Sequence, residues 1–242
     1  MDQSVFHDVI AQATSAGRHD LYQGIHKGLR LCMTRALTEL GCMDPADDAD
    51  VARTLERMSD MLTLFALHLE DENRFVHPVL HARAPGSADR TAGDHVGHEE
   101  AIATLRDTTE DLRSATGPAR AAAARGLYRR LALFVAENLE HMHFEETHNM
   151  AVLWSTCSDE ELMAIEHAIV ASIPPALMAR CLHWMLPALP HAERVAMLQG
   201  MRGDAAPAGV FEATLAIARA QLDARDFQKL QAALAGPPPA SA

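Results

Sequence analysis

The sequence predicts an all-α chain, an antiparallel four-helix bundle followed by a smaller helical region. Three observations lead there. Of 242 residues, 48% are hydrophobic but only 5% aromatic, and alanine and leucine dominate, a bias that suits helices packed on helices better than sheets. Four long segments repeat apolar residues at steps of three and four, the helical period. The breaker clusters between them, GCMDPADDAD, ARAPGSADRTAG and TGP, are short enough to make neighbouring helices antiparallel.

Helix one runs over roughly 19–40, with Tyr22, His26, Leu29, Met33 and Leu40 on one stripe. Helix two covers roughly 50–81. Its stripe is Val51, Leu55, Met58, Leu62, Phe65, Leu69, Glu72, Val76 and Val79, with His68 beside Leu69. Helix three, roughly 92–115, carries Asp94 or His95, then His98, Ile102, Leu105, Thr109 and Leu112. Helix four, roughly 119–154, presents Leu127, Leu131, Phe134, Asn138, His141, Glu145, His148 and Val152. Beyond it Ser158 and Glu161 make a capping box that opens SDEELMAIEHAIVAS. Pro174 and Pro175 start another helix, and shorter patterns fill roughly 191–202, 208–220 and 223–235. The expected organisation is a bundle over 1–156, a C-terminal helical region over 157–235 and a disordered tail, GPPPASA, over 236–242. The methionines of the second region read as adaptable packing.

A formal net charge of −12 argues against nucleic acid, whose phosphates need a basic face. No apolar run approaches the roughly 18 residues of a membrane span. The opening MDQSVFHDVIAQ has neither a basic start nor an apolar signal core, so the expected location is the cytoplasm. Cys32, Cys42, Cys157 and Cys181 are scattered, with no C-x-x-C pair, and read as reduced thiols.

Fourteen histidines are the unusual feature. His7, His19, His77, His81, His167, His183 and His191 show no paired spacing. The others, His143 apart, lie on or beside the apolar stripes. Helix one contributes His26. Helix two contributes His68 and Glu72, an H-x-x-x-E whose side chains share a face. Helix three contributes His98, with Asp94 one turn before it and His95 between. Helix four contributes His141 and Glu145, a second H-x-x-x-E. His26 stands about 14 residues, ~21 Å, before the end of its helix, and His68 about 18 residues, ~27 Å, into the next. The same count puts His98 and His141 at that level too. Such a layer, buried and unpaired, would be costly. A metal pair removes the cost, because neutral imidazole and carboxylate are its natural ligands.

These motifs, DLYQGIHKGLR, FALHLEDENRFVHPVL, HVGHEEAIATL and ENLEHMHFEETHNMAVLW, carry a family resemblance. The chain resembles the hemerythrin-like (HHE) four-helix-bundle non-haem di-iron proteins over roughly residues 15–155. The resemblance implies an oxo- or hydroxo-bridged di-iron centre in which His26 and His68 bind one iron and His98 and His141 the other. Glu72 and Glu145 would bridge them. The oxygen carriers of that family have H-x-x-x-H on helix three, where this chain has Asp94. They also place the helix-four carboxylate five residues after its histidine; here Glu145 follows at four and Glu146 at five. Asp94 is accordingly expected to reach the second iron, and Glu146 is a reserve bridge. His148 either lies near the ligands or meets solvent at the bundle end, and His143 points away.

The resemblance leads to a protein that binds or reacts with a small oxidant or gas: dioxygen, peroxide or nitric oxide. Asp94 in place of histidine implies a poor reversible oxygen carrier. Turnover would need an external electron donor, since no ferredoxin- or flavin-type domain is expected, and the protein is a candidate homo-oligomer. The alternative is an iron- or redox-responsive sensor whose C-terminal helices follow the metal state.

Overall fold

The computed structural model describes residues 17–202 and 209–236. The tail expected to be disordered lies, apart from Gly236, outside the described residues, as does the opening segment. The described residues are helical, without strands. The chain divides into two compact units after Ser172.

Four long helices make the first unit. α1 spans Gln23–Cys42; the carboxylate of Asp20 accepts from the backbone N–H groups of Tyr22 and Gln23 at 2.9 Å each and caps its start. α2 runs Asp48–Asp71, passes through a π-helical turn, Glu72–Val76, and finishes as His77–Arg83. Asp47 caps it, accepting from the N–H of Ala49 at 2.8 Å. A turn with Gly86 at φ +87°, a backbone angle that favours glycine, leads into α3, Asp89–Ser114. After Gly117, at φ +53°, α4 runs Gly117–Phe144, passes through a second π-helical turn, Glu145–Asn149, and ends as Met150–Thr156. The four pack around Leu29, Met33, Leu55, Met58, Leu62, Phe65, Ile102, Leu105, Leu131 and Phe134.

The two π turns were not expected from the sequence, and they change which side chains face inward. Each widens the helix by one residue per turn, so the buried stripe slips by one position. After Glu145 it continues through Asn149, Met150 and Leu153, not His148 and Val152. After Glu72 it reaches Val76, His77 and Leu80, leaving Val79 half-buried. His148 is exposed and stacks on Phe144 at 4.6 Å.

α5, Asp159–Ser172, was expected in the C-terminal region but packs within the first unit. Its capping box forms as read: the N–H of Ser158 donates to Glu161 at 2.9 Å and the N–H of Glu161 to the Ser158 hydroxyl at 3.2 Å. Leu162 enters a cluster with Tyr22, Val76, Leu80, Met150, Leu153 and Cys157 that closes one end of the bundle. Arg18 holds the same corner, donating to Asp159 at 2.7 Å and to the carbonyls of Trp154 and Cys157 at 3.1 and 2.9 Å.

The second unit comprises α6, Pro175–Ala188, α7, His191–Gly200, α8, Val210–Gln221, and α9, Ala224–Ala235. Its core is Leu182, Leu186, Leu198, Ala218, Leu230 and Leu234. The buried Arg194 donates to the Leu186 and Pro187 carbonyls and to Asp226, at 2.7, 3.3 and 2.8 Å. None of the four cysteines forms a disulfide. No single described helix is long and apolar enough to cross a membrane.

Leu162 is fully buried, so Leu162→Ala should cost the bundle about 2–5 kcal/mol. Denaturant unfolding followed on residues 1–172 reads this; an unchanged midpoint would separate α5 from the bundle core.

Candidate metal centre

α1 to α4 each send ligand-type side chains into one buried layer. Their donor atoms form two groups: His26, His68, Glu72 and Glu145, and Glu72, His95, His141 and Glu145. Within each group the donor atoms lie within 4.8 Å of one another. On one side the His26 and His68 Nε2 atoms stand 3.2 Å apart, with Glu72 Oε1 3.3 Å from His68 and Glu145 Oε2 3.4 Å from His26. On the other side the Nε2 atoms of His95 and His141 stand 3.1 Å apart. There Glu72 Oε2 is 3.2 Å from His95 and Glu145 Oε1 3.2 Å from His141. Each carboxylate therefore gives one oxygen to each histidine pair. That division lets each carboxylate reach both groups.

The donor set fits a pair of metal ions on three counts. All four carboxylate oxygens are buried and meet only histidine Nε2 atoms at 3.2–3.4 Å, without a hydrogen bond of good geometry, an arrangement that costs several kcal/mol unless positive charge enters it. The histidines of a pair present Nε2 to Nε2 at 3.2 and 3.1 Å, a contact that a shared proton or a metal ion between them satisfies. Separations of 3.1–3.4 Å are also close to the roughly 3 Å expected between neighbouring ligand atoms of an octahedral ion with bonds of about 2.1 Å.

A family model, the hemerythrin HHE cation binding domain, matches residues 20–153. The chain belongs to the hemerythrin HHE family. Comparison with curated proteins and with solved structures found no match.

Within the HHE bundle the imidazoles are aimed from behind. His26 Nδ1 donates to Glu146 Oε1 at 3.1 Å, and Arg30 clamps both oxygens of Glu146 at 2.5 and 3.0 Å. His95 Nδ1 donates to Asn73 Oδ1 at 2.8 Å, and His141 Nδ1 to Asp94 Oδ2 at 3.2 Å. With Nδ1 engaged in this way, Nε2 is left to face the metal position. Each of the three acceptors neighbours a ligand in sequence and serves a histidine on another helix. Glu146 follows Glu145, Asn73 follows Glu72 and Asp94 precedes His95.

The structure thus brings together His26, His68, Glu72, His141 and Glu145 as the spacing implied, but departs from the sequence reading on α3. The third-helix histidine of the second group is His95, not His98. α3 begins at Asp89, and His95, one turn nearer that start than His98, is the residue whose Nε2 meets His141 and Glu72. His98 is buried below the layer, edge-on to His141 at 4.8 Å. Asp94 accepts from His141 and stands outside both donor groups. Glu146 likewise supports His26 instead of bridging. Asn73 and Arg30 were not anticipated; both are surface-type residues on helices, and nothing in their spacing marks them.

The charges agree with this layout. Burial opposes ionisation of Glu72 and Glu145, and Glu145 is raised further by the charge of Glu72, yet the histidines around them hold both carboxyls below the usual range. Burial would lower His26, but Glu146, Glu72 and Glu145 carry it up to about 9. Its partner His68 is pushed down by burial to about 4. His95 also rises against burial, through Glu145 and Glu72, to about 9, and His141 rises, chiefly through Glu145. Without metal the layer attracts protons to the positions that metal ions would take.

Two outcomes follow. Alanine at His95 should lower bound metal to one ion or none, whereas His98→Ala should keep both; plasma emission analysis of purified variants decides between the positions. Metal uptake should release protons at neutral pH and strengthen as pH rises. His26 and His95 titrate near 9 folded against an ordinary 6.5. Their ion pairs therefore stabilise the metal-free fold fully below pH 6.5, and that stability fades as pH climbs through about 9. The metal-free protein should melt several degrees lower at pH 9 than at pH 6.5, while the loaded protein, its imidazoles already deprotonated, should not.

Proposed function

We propose that this protein holds two iron ions in the buried layer and binds or reacts with a small oxidant there: dioxygen, peroxide or nitric oxide. The observation that carries this reading is the division of Glu72 and Glu145 between two histidine pairs, which supplies each position with two imidazoles and two carboxylate oxygens. Four protein donors fall short of the six positions of an octahedral ion, which leaves room for an exogenous ligand at each. Bound iron would supply redox-active centres with open positions. The chain's own residues fix the imidazoles through Glu146, Asn73 and Asp94, and the burial of the layer, with Leu29, Phe65 and Phe134 on one side, excludes bulk water.

Asp94 supports the expected weakness as a reversible oxygen carrier by a route other than the one read from the sequence. It makes no fifth ligand. Its carboxylate, facing His141 Nδ1, makes that imidazole more basic and favours the higher oxidation state of the metal it would bind.

A second reading, an iron- or redox-responsive protein, has one observation in its favour. α5 packs beside the π turn that starts at Glu72, and the Ser172 hydroxyl, which donates to the Ile169 carbonyl at 2.8 Å, lies 3.4 Å from Asp71. A change at Glu72 has a short path to the end of the first unit.

Anaerobic loading should give two iron ions per chain, and air should convert the ferrous protein to a stable ferric form with new near-ultraviolet absorption. Peroxide should do the same, and nitric oxide should change the ferrous spectrum. An oxygen adduct reversed by vacuum through many cycles would overturn the assignment as a poor carrier; retention of zinc alone would overturn the redox function. Limited proteolysis near Ser172 that differs with and without iron would favour the responsive reading.

A further inference from the structure

One turn from the ligand layer, towards the end closed by α5, a second layer draws a polar side chain from each helix of the bundle. Tyr22 lies one turn before His26, its carbonyl accepting from the His26 N–H at 2.9 Å. His77 follows Glu72 by the five residues of the π turn, its N–H donating to the Glu72 carbonyl. Thr91 stands one turn before His95, and Asn149 one turn after Glu145. Because α1 and α3 run opposite to α2 and α4, these steps all lead in the same direction. Tyr22 stacks on His26 at 5.2 Å, His77 stacks on His95 at 4.7 Å, and Asn149 Nδ2 donates to Thr91 Oγ1 at 3.2 Å.

The layer is buried and incompletely bonded. Tyr22 is 1%, His77 8%, Thr91 0% and Asn149 0% exposed. Even so, His77 Nε2 and Asn149 Oδ1 have no hydrogen-bond partner, and the Tyr22 hydroxyl, which lies beside the Asn149 amide, has none of good geometry. Buried polar atoms without partners are rare in folded proteins and call for an occupant. Above them Leu80, Met150, Leu153 and Leu162 are apolar and supply no partner. Below the ligand layer Leu29, Phe65 and Phe134 are apolar, and Asn138 there bonds the Phe134 carbonyl at 2.8 Å. His98 Nδ1 is the one unpartnered atom on that side among these residues.

We infer that Tyr22, His77, Thr91 and Asn149 form the pocket for the exogenous ligand of the metal pair, and that they select a small hydrogen-bonding ligand of the peroxide or azide class over an apolar diatomic gas. The inference rests on the metal reading above. Tyr22 offers a hydroxyl donor, Asn149 an acceptor and His77 a ring nitrogen that serves as either, all at one turn's distance from the bridging carboxylates. A terminal oxygen or nitrogen of a bound anion would satisfy the atoms that the protein leaves unpaired. An apolar diatomic would leave them unsatisfied. The π turns create this arrangement: with ordinary helical pitch His77 would rotate off the inward stripe.

Azide is the probe. The full-length protein is loaded with iron, oxidised in air and titrated with azide, following the charge-transfer absorption of the complex. Tyr22→Phe removes one oxygen and keeps the ring on His26; Asn149→Leu removes the acceptor at similar volume. Each should keep two iron ions and weaken azide about ten- to a hundredfold, the range for one hydrogen bond to a charged group. Nitric oxide binding to the ferrous form should stay within about twofold of wild type, since an apolar diatomic gains little from these groups. Phe134→Leu, on the opposite side of the layer, should leave azide affinity unchanged. Wild-type azide affinity in both polar variants overturns the pocket while leaving the metal centre intact. So does a phenolate-to-iron band that disappears in Tyr22→Phe, because Tyr22 would then be a ligand. Equal weakening of azide and nitric oxide overturns the selectivity. A wild-type protein that takes up no iron overturns the metal reading and this one together.

Discussion

Two buried carboxylates, their four oxygens met only by imidazole nitrogens at 3.2–3.4 Å, are the constraint on which the bundle turns. A fold that buries Glu72 and Glu145 in this way tolerates them only if positive charge enters the same layer. The four facing imidazoles supply it as protons or accept it as metal. The ends of the bundle are fastened independently, by Arg18 and the Ser158–Glu161 box at one corner and by the leucine and methionine core through the length of α1 to α4. The charged layer thus sits inside a frame that does not need it for its outline.

The positioning network links the helices in a chain. α4 holds His26 of α1 through Glu146, α2 holds His95 of α3 through Asn73, and α3 holds His141 of α4 through Asp94. No helix supplies both a ligand and that ligand's own support. A shift in α2, α3 or α4 therefore disturbs two kinds of donor at once, those that it carries and the one that it aims. This coupling gives the bundle a reason to keep the layer rigid that a set of independent ligands would lack.

Much of this was legible in the chain itself. Apolar steps of three and four marked the four long helices to within a few residues, and paired H-x-x-x-E motifs marked the faces that carry the donors. The level of the layer on α3 was not legible. His95 and His98 stand three residues apart on nearly the same face, and a count along the helix, uncertain by a few residues at each boundary, does not separate them. The π turns were hidden for another reason. Glu145-Glu146-Thr147-His148-Asn149 is compatible with either pitch, and only packing of Asn149 and Leu153 over Val152 decides it. The supports of the imidazoles were hidden as well, because Asn73, Glu146 and Asp94 reach across to other helices, and no spacing along one helix records such a contact.

Sharing both carboxylates has a consequence for how the centre fills. An ion entering one position would draw Glu72 and Glu145 into place and displace the proton that its histidine pair holds. The neighbouring position would then meet two of its four donors already oriented, which favours a second ion, and already neutralised in part, which opposes it. Two ions in this layer would therefore not load as independent events, and the balance of those two effects would set how far occupancy departs from a simple saturation curve.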